Sequence, residues 1–561
     1  MAMNTAPDVT LWVKAEPFTY ASIPVAPHPR LSSSNIKRIL TYAKTKGPEG
    51  FPSLSYTVWR HIAVNKMQLT EDLAWMYFKI YDLFMQRTSE EKLSIDKLLT
   101  NCRAVSERTS QKEMFFVHTY TFVLFLYIQQ MHKISLRNSF NASTEAWPTR
   151  PRSPPDSTRS SSQSSKALDE QSHFLFVQQH LNDILELLVE PDSVGANIND
   201  KRLSVEAVKS LSYIFMGSLK RDNISSPFHT IALYPQIQGI SGYSKLTQSF
   251  SLRNLQFWIS KSLAIGPYSI SSLLNNGRLL NWIIPKQTEK NDKLKGRIMT
   301  NANIVPDNQM EGNKAILITH VNGKTIARSS TTLEHSTVKI HRCNQSQFYL
   351  LSPLRSSTIV KCRNSTIVLG VVDTVVHVDK CERIKLIVAC RNIMVSSSSN
   401  CTIHLMTTTR PLILSSNENI CLAPYHTYYA TLERHLLQTG LHPNQKMWNQ
   451  PLCVGPDHDP ERQPVWNVLI PRDLNHFKIP FIFENVQEPI TSALPCPLPT
   501  EYAKAYEEMQ SSITSWKRKV RDMGLENAER REYQDFVQQS FQLWLSERGL
   551  QTQLDQLSVN E

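Results

Sequence analysis

Residues 338–401 read VKIHRCNQSQFYLLSPLRSSTIVKCRNSTIVLGVVDTVVHVDKCERIKLIVACRNIMVSSSSNC. Set out at a period of 19 residues, Cys343, Cys362 and Cys381 coincide, Asn400 falls next and Cys401 stands one place late. Apolar positions keep the same period: Ile340, Ile359 and Val378; Phe348, Ile367, Leu386 and Leu405; Leu350, Leu369 and Val388. From about residue 315 β-branched residues alternate with polar ones and helical spacing is absent. A repeat of about 20 residues made of short strands predicts a β-solenoid, each coil burying its inward side chains against the next.

Alternation also assigns faces. Val338, Val376 and Val395 share one place in the repeat, and Ile340, Ile359 and Val378 lie two residues on, so this parity points inward. Met394 then points outward, and a strict period gives it Val375 and Ile413 as neighbours. The expectation is an exterior apolar strip that packs under another domain or holds a partner. Stacked cysteines in adjacent coils lie ~4.8 Å apart, near enough for a disulfide. A line of thiols is nevertheless poor tetrahedral geometry, so small residues filling a coil corner are expected and no metal is.

Around the repeat the chain changes character several times. Its 561 residues exceed one ordinary core and suggest about three or four units. Helical patterning dominates 1–140 and 172–284, either as two domains or as one interrupted by the Ser/Pro/Arg-rich linker 141–171. In LTEDLAWMYFKIYDLF, Thr70 caps and Leu73, Met76, Tyr77, Ile80, Leu83 and Phe84 recur at helical spacing. Helices are also expected over 173–189, 205–219, 252–263 and 279–284. A second polar linker, 285–312, precedes the β-helix at 313–436. A Pro-rich irregular segment (437–500) and a helical tail (501–561) follow. In the tail Phe536, Val537, Phe541, Trp544 and Leu545 form a stripe suited to its own domain or to a partner.

Composition narrows the function classes. The run MFFVHTYTFVLFLYI (114–128) is shorter than the ~20 residues that span a bilayer, and a buried helix is expected instead. No basic, then apolar leader opens the chain, and nine cysteines without a Cys-x-x-Cys pair fit reduced thiols in cytosol or nucleus. The net charge of +12 fits scattered solvated charge or a polyanionic partner; its densest run is Lys517-Arg518-Lys519, and no nucleic-acid motif accompanies it. Between 338 and 414 the carboxylates are Asp373, Asp379 and Glu382, at unrelated offsets, as are His341, His377 and His404. No Walker loop, dinucleotide fingerprint or Gly-x-Ser-x-Gly elbow is present, so no cofactor and no enzyme are expected.

At SPLRSSTIVKCRNSTIVLG, VDKCERIKLIVAC and TTTRPLILSS the sequence resembles the tubulin-binding cofactor C domain family, over about 315–435. LWVKAEPF, WRHIA, DLAWMYF and FLYIQQ extend the likeness to longer members of that family. The resemblance implies a right-handed parallel β-helix between a largely α-helical N-terminal region and a helical tail. In catalytic members the strand after Ala-Cys ends in an arginine inserted into a small Arf-like GTPase or tubulin, where such a finger contributes ~10³–10⁵ in rate. Here Arg391, Asn392, Ile393 and Met394 occupy that stretch, so the arginine position is Met394. A Pro-Ile-Ile-Glu motif is likewise Pro411-Leu412-Ile413-Leu414, without its acid.

The resemblance therefore implies a non-catalytic scaffold of the centrosome and spindle pole, with roles in centrosome and Golgi positioning, cell shape and migration. Expected partners are centrosomal or microtubule-associated proteins, or tubulin or an Arf-like GTPase bound without catalysis. Val375, Met394, Ile413, Arg391 and Arg410 form the candidate partner-binding face. The alternative is a GTPase-activating or tubulin-folding cofactor acting through Arg391, one 19-residue period from Arg410.

Overall fold

The computed structural model describes residues 9–547 apart from 86, 101–111, 143–160, 190–200, 220–224, 267–272, 276, 283–295, 302–313, 444–446, 455–463, 475–476, 480–494 and 525. Most of both linkers expected from the sequence lies outside the described residues. The chain forms two compact units, each gathered from three segments. The first comprises Met1–Arg87, Asn101–Arg278 and Met299–Ala315; the second comprises Thr88–Thr100, Leu279–Ile298 and Ile316–Glu561.

Helices Ser33–Thr45, Glu71–Leu83, Thr119–Ala142 and Ser161–Glu186 dominate the first unit. The Thr70 hydroxyl accepts from the Leu73 amide and starts the second of them, as its sequence predicts. The apolar run at 114–128 enters a buried helix, with Phe122, Phe125 and Leu126 fully covered. Among the described residues no helix is long and apolar enough to cross a membrane.

Two helical expectations fail in the first half of the chain. Over 205–219 the helix stops at Ser210, and Phe215–Leu219 is a strand antiparallel to Val9–Val13. Gly217 permits that pairing, because a Cβ there would sit 2.6 Å from Leu11 Cδ2 and 2.8 Å from the Thr10 carbonyl oxygen. Over 279–284, Arg278–Leu279 is a strand and 280–282 has no regular structure.

The second unit is a parallel β-helix of about six turns. A helix from the N-terminal part of the chain, α1 (Ser89–Thr100), belongs to it. The coils run through β1 (Ala315–Thr319), β2 (Thr325–Arg328), β3 (Thr337–His341), β4 (Gln347–Leu350), β5 (Ser356–Val360), β6 (Thr366–Leu369), β7 (Val372–Asp379), β8 (Lys385–Ser396), β9 (Ser399–Thr407), β10 (Leu412–Leu414) and β11 (Glu418–Pro424). Helix α2 (Leu432–Thr439) follows, then β12 (Leu452–Val454) and β13 (Trp466–Val468), and the chain continues to helices α3 (Thr500–Asp522) and α4 (Asn527–Glu547).

One ladder stacks β3, β5, β7, the second half of β8, β10 and β12, while the other stacks β2, β4, β6, the first half of β8, β9, β11 and β13. Strands β12 and β13 thus carry the solenoid into the segment expected to be irregular. They fit there because each is a three-residue edge piece free of proline.

The corner between the two ladders turns on paired left-handed residues. Arg342, Lys361, Lys380 and Ser397 hold the first such place, and Gln345, Asn364, Arg383, Asn400 and Asn419 the second, all with φ between 46° and 55°. Between them Cys343, Cys362 and Cys381 point into the core beside Ile340, Ile359 and Val378. Burying each such aliphatic side chain contributes ~1.5–3 kcal/mol, so the repeat that reveals the fold also holds it together.

Inside the solenoid the 19-residue period breaks over one stretch, whereas Thr325 and Gln347 near its start are 22 residues apart and Leu412 and Leu452 near its end are 40. A bulge between Val372 and Val375 shortens the coil, so Val378 pairs with Val395 and Lys385 with Thr402, each 17 residues on. Glu382 bridges to Ser399, which puts Ser398 in the cysteine column and Cys401 in the column of Ile384.

Candidate functional site

The shortened coil creates the site. Gly370 brings successive coils together at this corner, since a Cβ there would lie 2.1 Å from the Ser352 carbonyl oxygen. One coil later β8 runs through the corner without a turn and carries Arg391 into it. The Arg391 carbonyl is fastened by the hydroxyls of Thr407, Thr408 and Thr409, at 2.9, 3.2 and 2.7 Å.

The Arg391 side chain, 5 % exposed, is spent within the fold. Its Nη1 lies 2.8 Å from Asp96 Oδ2 on α1, and its Nε 3.4 Å from Asp373 Oδ1 in the bulge. Its Nη2 donates to the carbonyls of Thr439 and Gly440 at the end of α2, at 2.8 and 2.7 Å. Lys92 on α1 pairs with Asp373 at 2.8 Å. Two helices distant in sequence are thus pinned to one β-helix corner by a single guanidinium, whose fork suits several acceptors at once.

The expected exterior strip does not form. Ile413 pairs with Val395 and lies in the inner core, so its assignment to the outside is corrected. Met394 keeps its outward parity, but its neighbours are His377 and Leu412, while Val375 pairs with Asn392. Val375 and Met394 are themselves buried. Arg410 is half-buried and donates to the carbonyls of Gln450 and Pro451, away from the partners of Arg391. The error arose from a strict 19-residue period carried across spacings of 17, at Val375–Asn392, and 18, at Val395–Ile413.

The remaining candidates are accounted for in the same way. Asp379 accepts from Ser396, and Glu382 lies against Arg363 and Arg383, so the three carboxylates of the repeat do not converge. Thiols of Cys343, Cys362 and Cys381 face backbone carbonyls of their own coils. The bond to Cys343 pushes Cys362 up to about 12, and the bond to Cys362 raises Cys381 further, which keeps both protonated. Among the described residues no three His, Cys, Asp or Glu side chains could hold a metal ion.

Asp96, Lys92, Thr439 and Gly440 escaped the sequence reading. Nothing in SEEKLSIDKLLT announces that one aspartate meets a corner almost three hundred residues later. The one available signal is VACRNI itself, where a strand runs on through a place that earlier coils fill with turn residues.

A parallel β-helix with this corner and these coil sequences defines a cofactor C-type protein, and the family model for Tubulin binding cofactor C matches residues 335–452. The chain is 39 % identical to TBCC domain-containing protein 1 of Rattus norvegicus, covering 98 % of this chain and 95 % of the relative. It is 38 % identical to that of Homo sapiens and 34 % to that of Xenopus laevis, again over 98 % of this chain. The chain belongs to the TBCC domain-containing protein 1 family.

Proposed function

We propose that this chain is a non-catalytic scaffold that acts at the centrosome and spindle pole, where it contributes to centrosome and Golgi positioning and hence to cell shape and migration. The family resemblance supports the location and the process. The observation that carries the loss of catalysis is the state of the corner. Where resemblance puts the finger arginine the chain has buried Met394, whose thioether bears no charge to set against a transferring phosphoryl group.

Arg391, the nearest substitute in sequence, makes four contacts with Asp96, Asp373, Thr439 and Gly440. Insertion into a partner would break them and strand a buried aspartate. Partners on this reading are centrosomal or microtubule-associated proteins, with tubulin or an Arf-like GTPase bound, if at all, without turnover.

Single-turnover GTP hydrolysis by purified tubulin and by an Arf-like GTPase, with and without the full chain, tests the reading. Unchanged rates are expected. Stimulation by the wild-type chain would overturn it. Localisation is tested by imaging a tagged full-length chain against a centrosomal marker; a diffuse distribution would remove the scaffold from that site.

A further inference from the structure

We propose that the β-helix corner carrying Arg342, Lys361 and Lys380 is a docking site for an acidic peptide, separate from the Arg391 corner. These residues occupy the same place in three successive coils, so their side chains leave the solenoid as a column with ~4.8 Å between members. Arg363 and Arg383 flank the column two and three places further round the corner. Arg342, Lys361, Arg363 and Lys380, with Cys343 and Asn344, line a cleft of about 410 Å³.

The charge there is unbalanced. Five cations meet two carboxylates: Asp379, 3.8 Å from Lys380, and Glu382, against Arg363 and Arg383. No carboxylate lines the cleft; Asp379 acts on Lys361 from beyond it, more weakly than burial and the neighbouring cations do. The Lys361 ammonium is pushed down by partial burial and then by Arg342 and Lys380, as expected of like charges stacked in register.

The residue types sharpen the point. A left-handed backbone favours asparagine, and the second turning place takes it in three coils, at Asn364, Asn400 and Asn419. The first place takes Arg342, Lys361 and Lys380 in succession, against both backbone preference and mutual repulsion. A polyanion along the column removes the repulsion.

The corner backbone separates an acidic peptide from a phosphate group. Phosphate sites use free backbone N–H groups at helix starts or nests. Here the amides of Arg342, Lys361 and Lys380 donate to the carbonyls of Val360, Asp379 and Ser396 on the next coil, and the Arg363 amide donates to Cys343. Recognition is left to side-chain charge alone, which suits several carboxylates on flexible stems.

The test uses the full chain and a fluorescent oligoglutamate peptide followed by anisotropy. The variant Arg342→Asn/Lys361→Asn/Lys380→Asn keeps a residue that tolerates the left-handed turn. It is expected to fold with an unchanged or raised melting temperature and to bind at least about tenfold more weakly, with a shallower salt dependence. The control Lys517→Asn/Arg518→Asn/Lys519→Asn removes the densest basic run of the sequence and should leave binding intact. Equal loss in both variants, or none in the corner variant, would overturn the proposal, as would tighter corner-dependent binding of phosphoinositide vesicles than of the peptide. If the triple variant fails to fold, Lys361→Asn alone decides by the same comparison. The readout contains no GTPase, so its failure leaves the non-catalytic reading standing, and the converse holds.

Discussion

At the residue scale, the contrast between Met394 and Arg391 shows that position in a strand says little about availability. Both lie on β8, three residues apart, and both are buried, yet the charged one is satisfied by four partners. Removing one member of a buried ion pair leaves the other uncompensated and typically costs ~3–5 kcal/mol. Arg391→Met is therefore expected to lower the unfolding free energy of the β-helix by about that amount in urea titration. Replacing both charges, Arg391→Met with Asp96→Leu, should recover most of the loss, because a buried pair exchanged for apolar groups is often close to neutral. Arg391→Lys should recover little, since an ammonium cannot span the same four acceptors. A single variant as stable as the wild type would mean that the guanidinium does not pin the two helices.

At the element scale, α2 ends in close contact with α1. Gly440 has φ of +63°, and a Cβ on it would fall 2.3 Å from the Ser89 carbonyl oxygen. Gly440→Ala adds ~1–2 kcal/mol of backbone strain to a clash with the first residue of α1, so that helix should detach. Hydrogen exchange should then rise selectively over 89–100, and unchanged protection there would contradict the docking. Two buried histidines, His404 on β9 and His435 on α2, set a pH dependence. Burial first, then the charge of Lys385, pulls His404 down to about 4, and burial with Arg434 and His335 does the same to His435. Both are neutral in the fold, whereas an unfolded histidine gains its proton below about 6.5. Stability is then complete above 6.5, falls as pH drops toward about 4, and is flat below, each histidine contributing on the order of 3 kcal/mol. Urea midpoints at pH 7 and pH 5 measure the slope, and His404→Gln should flatten it. The repeat made the two ladders, the inner core and the cysteine column legible in sequence, because each coil restates the same inward residues. It did not make the irregular spacing after Val372–Val375 legible, since alternation stays intact within the strands on both sides while the coil-mates change and Ile413 turns inward. The site went unread for the same reason, as every partner of Arg391 lies outside the repeat or in its one irregular coil.

At the scale of the whole molecule, the two units are interleaved along the chain. Each is built from three segments, so neither corresponds to a continuous stretch of sequence. The tail departs from the expected docking as well: Phe536, Val537, Phe541 and Trp544 of α4 are exposed, and of the five stripe residues Leu545 is covered. A boundary drawn from composition at 313–436 would cut away Lys92, Asp96, Thr439 and Gly440 together, along with β12 and β13. That fragment is expected to aggregate, because it keeps Arg391 and Asp373 without the helices that cover them and ends the ladders on unpaired strand edges. A longer fragment, 313–561, restores α2 and the last strands but still lacks α1. Losing the Asp96 pair at ~3–5 kcal/mol should lower its melting temperature by roughly 10 °C relative to the β-helix transition of the full chain. Adding a peptide of residues 86–102 in trans should raise that temperature with the logarithm of its concentration once above its Kd, as a ligand that binds the folded state alone must do. The same peptide carrying Asp96→Ala should have little effect. Equal stabilisation by both peptides would show that α1 is held by its apolar contacts, and an unassisted fragment as stable as the full chain would show that the β-helix does not depend on α1.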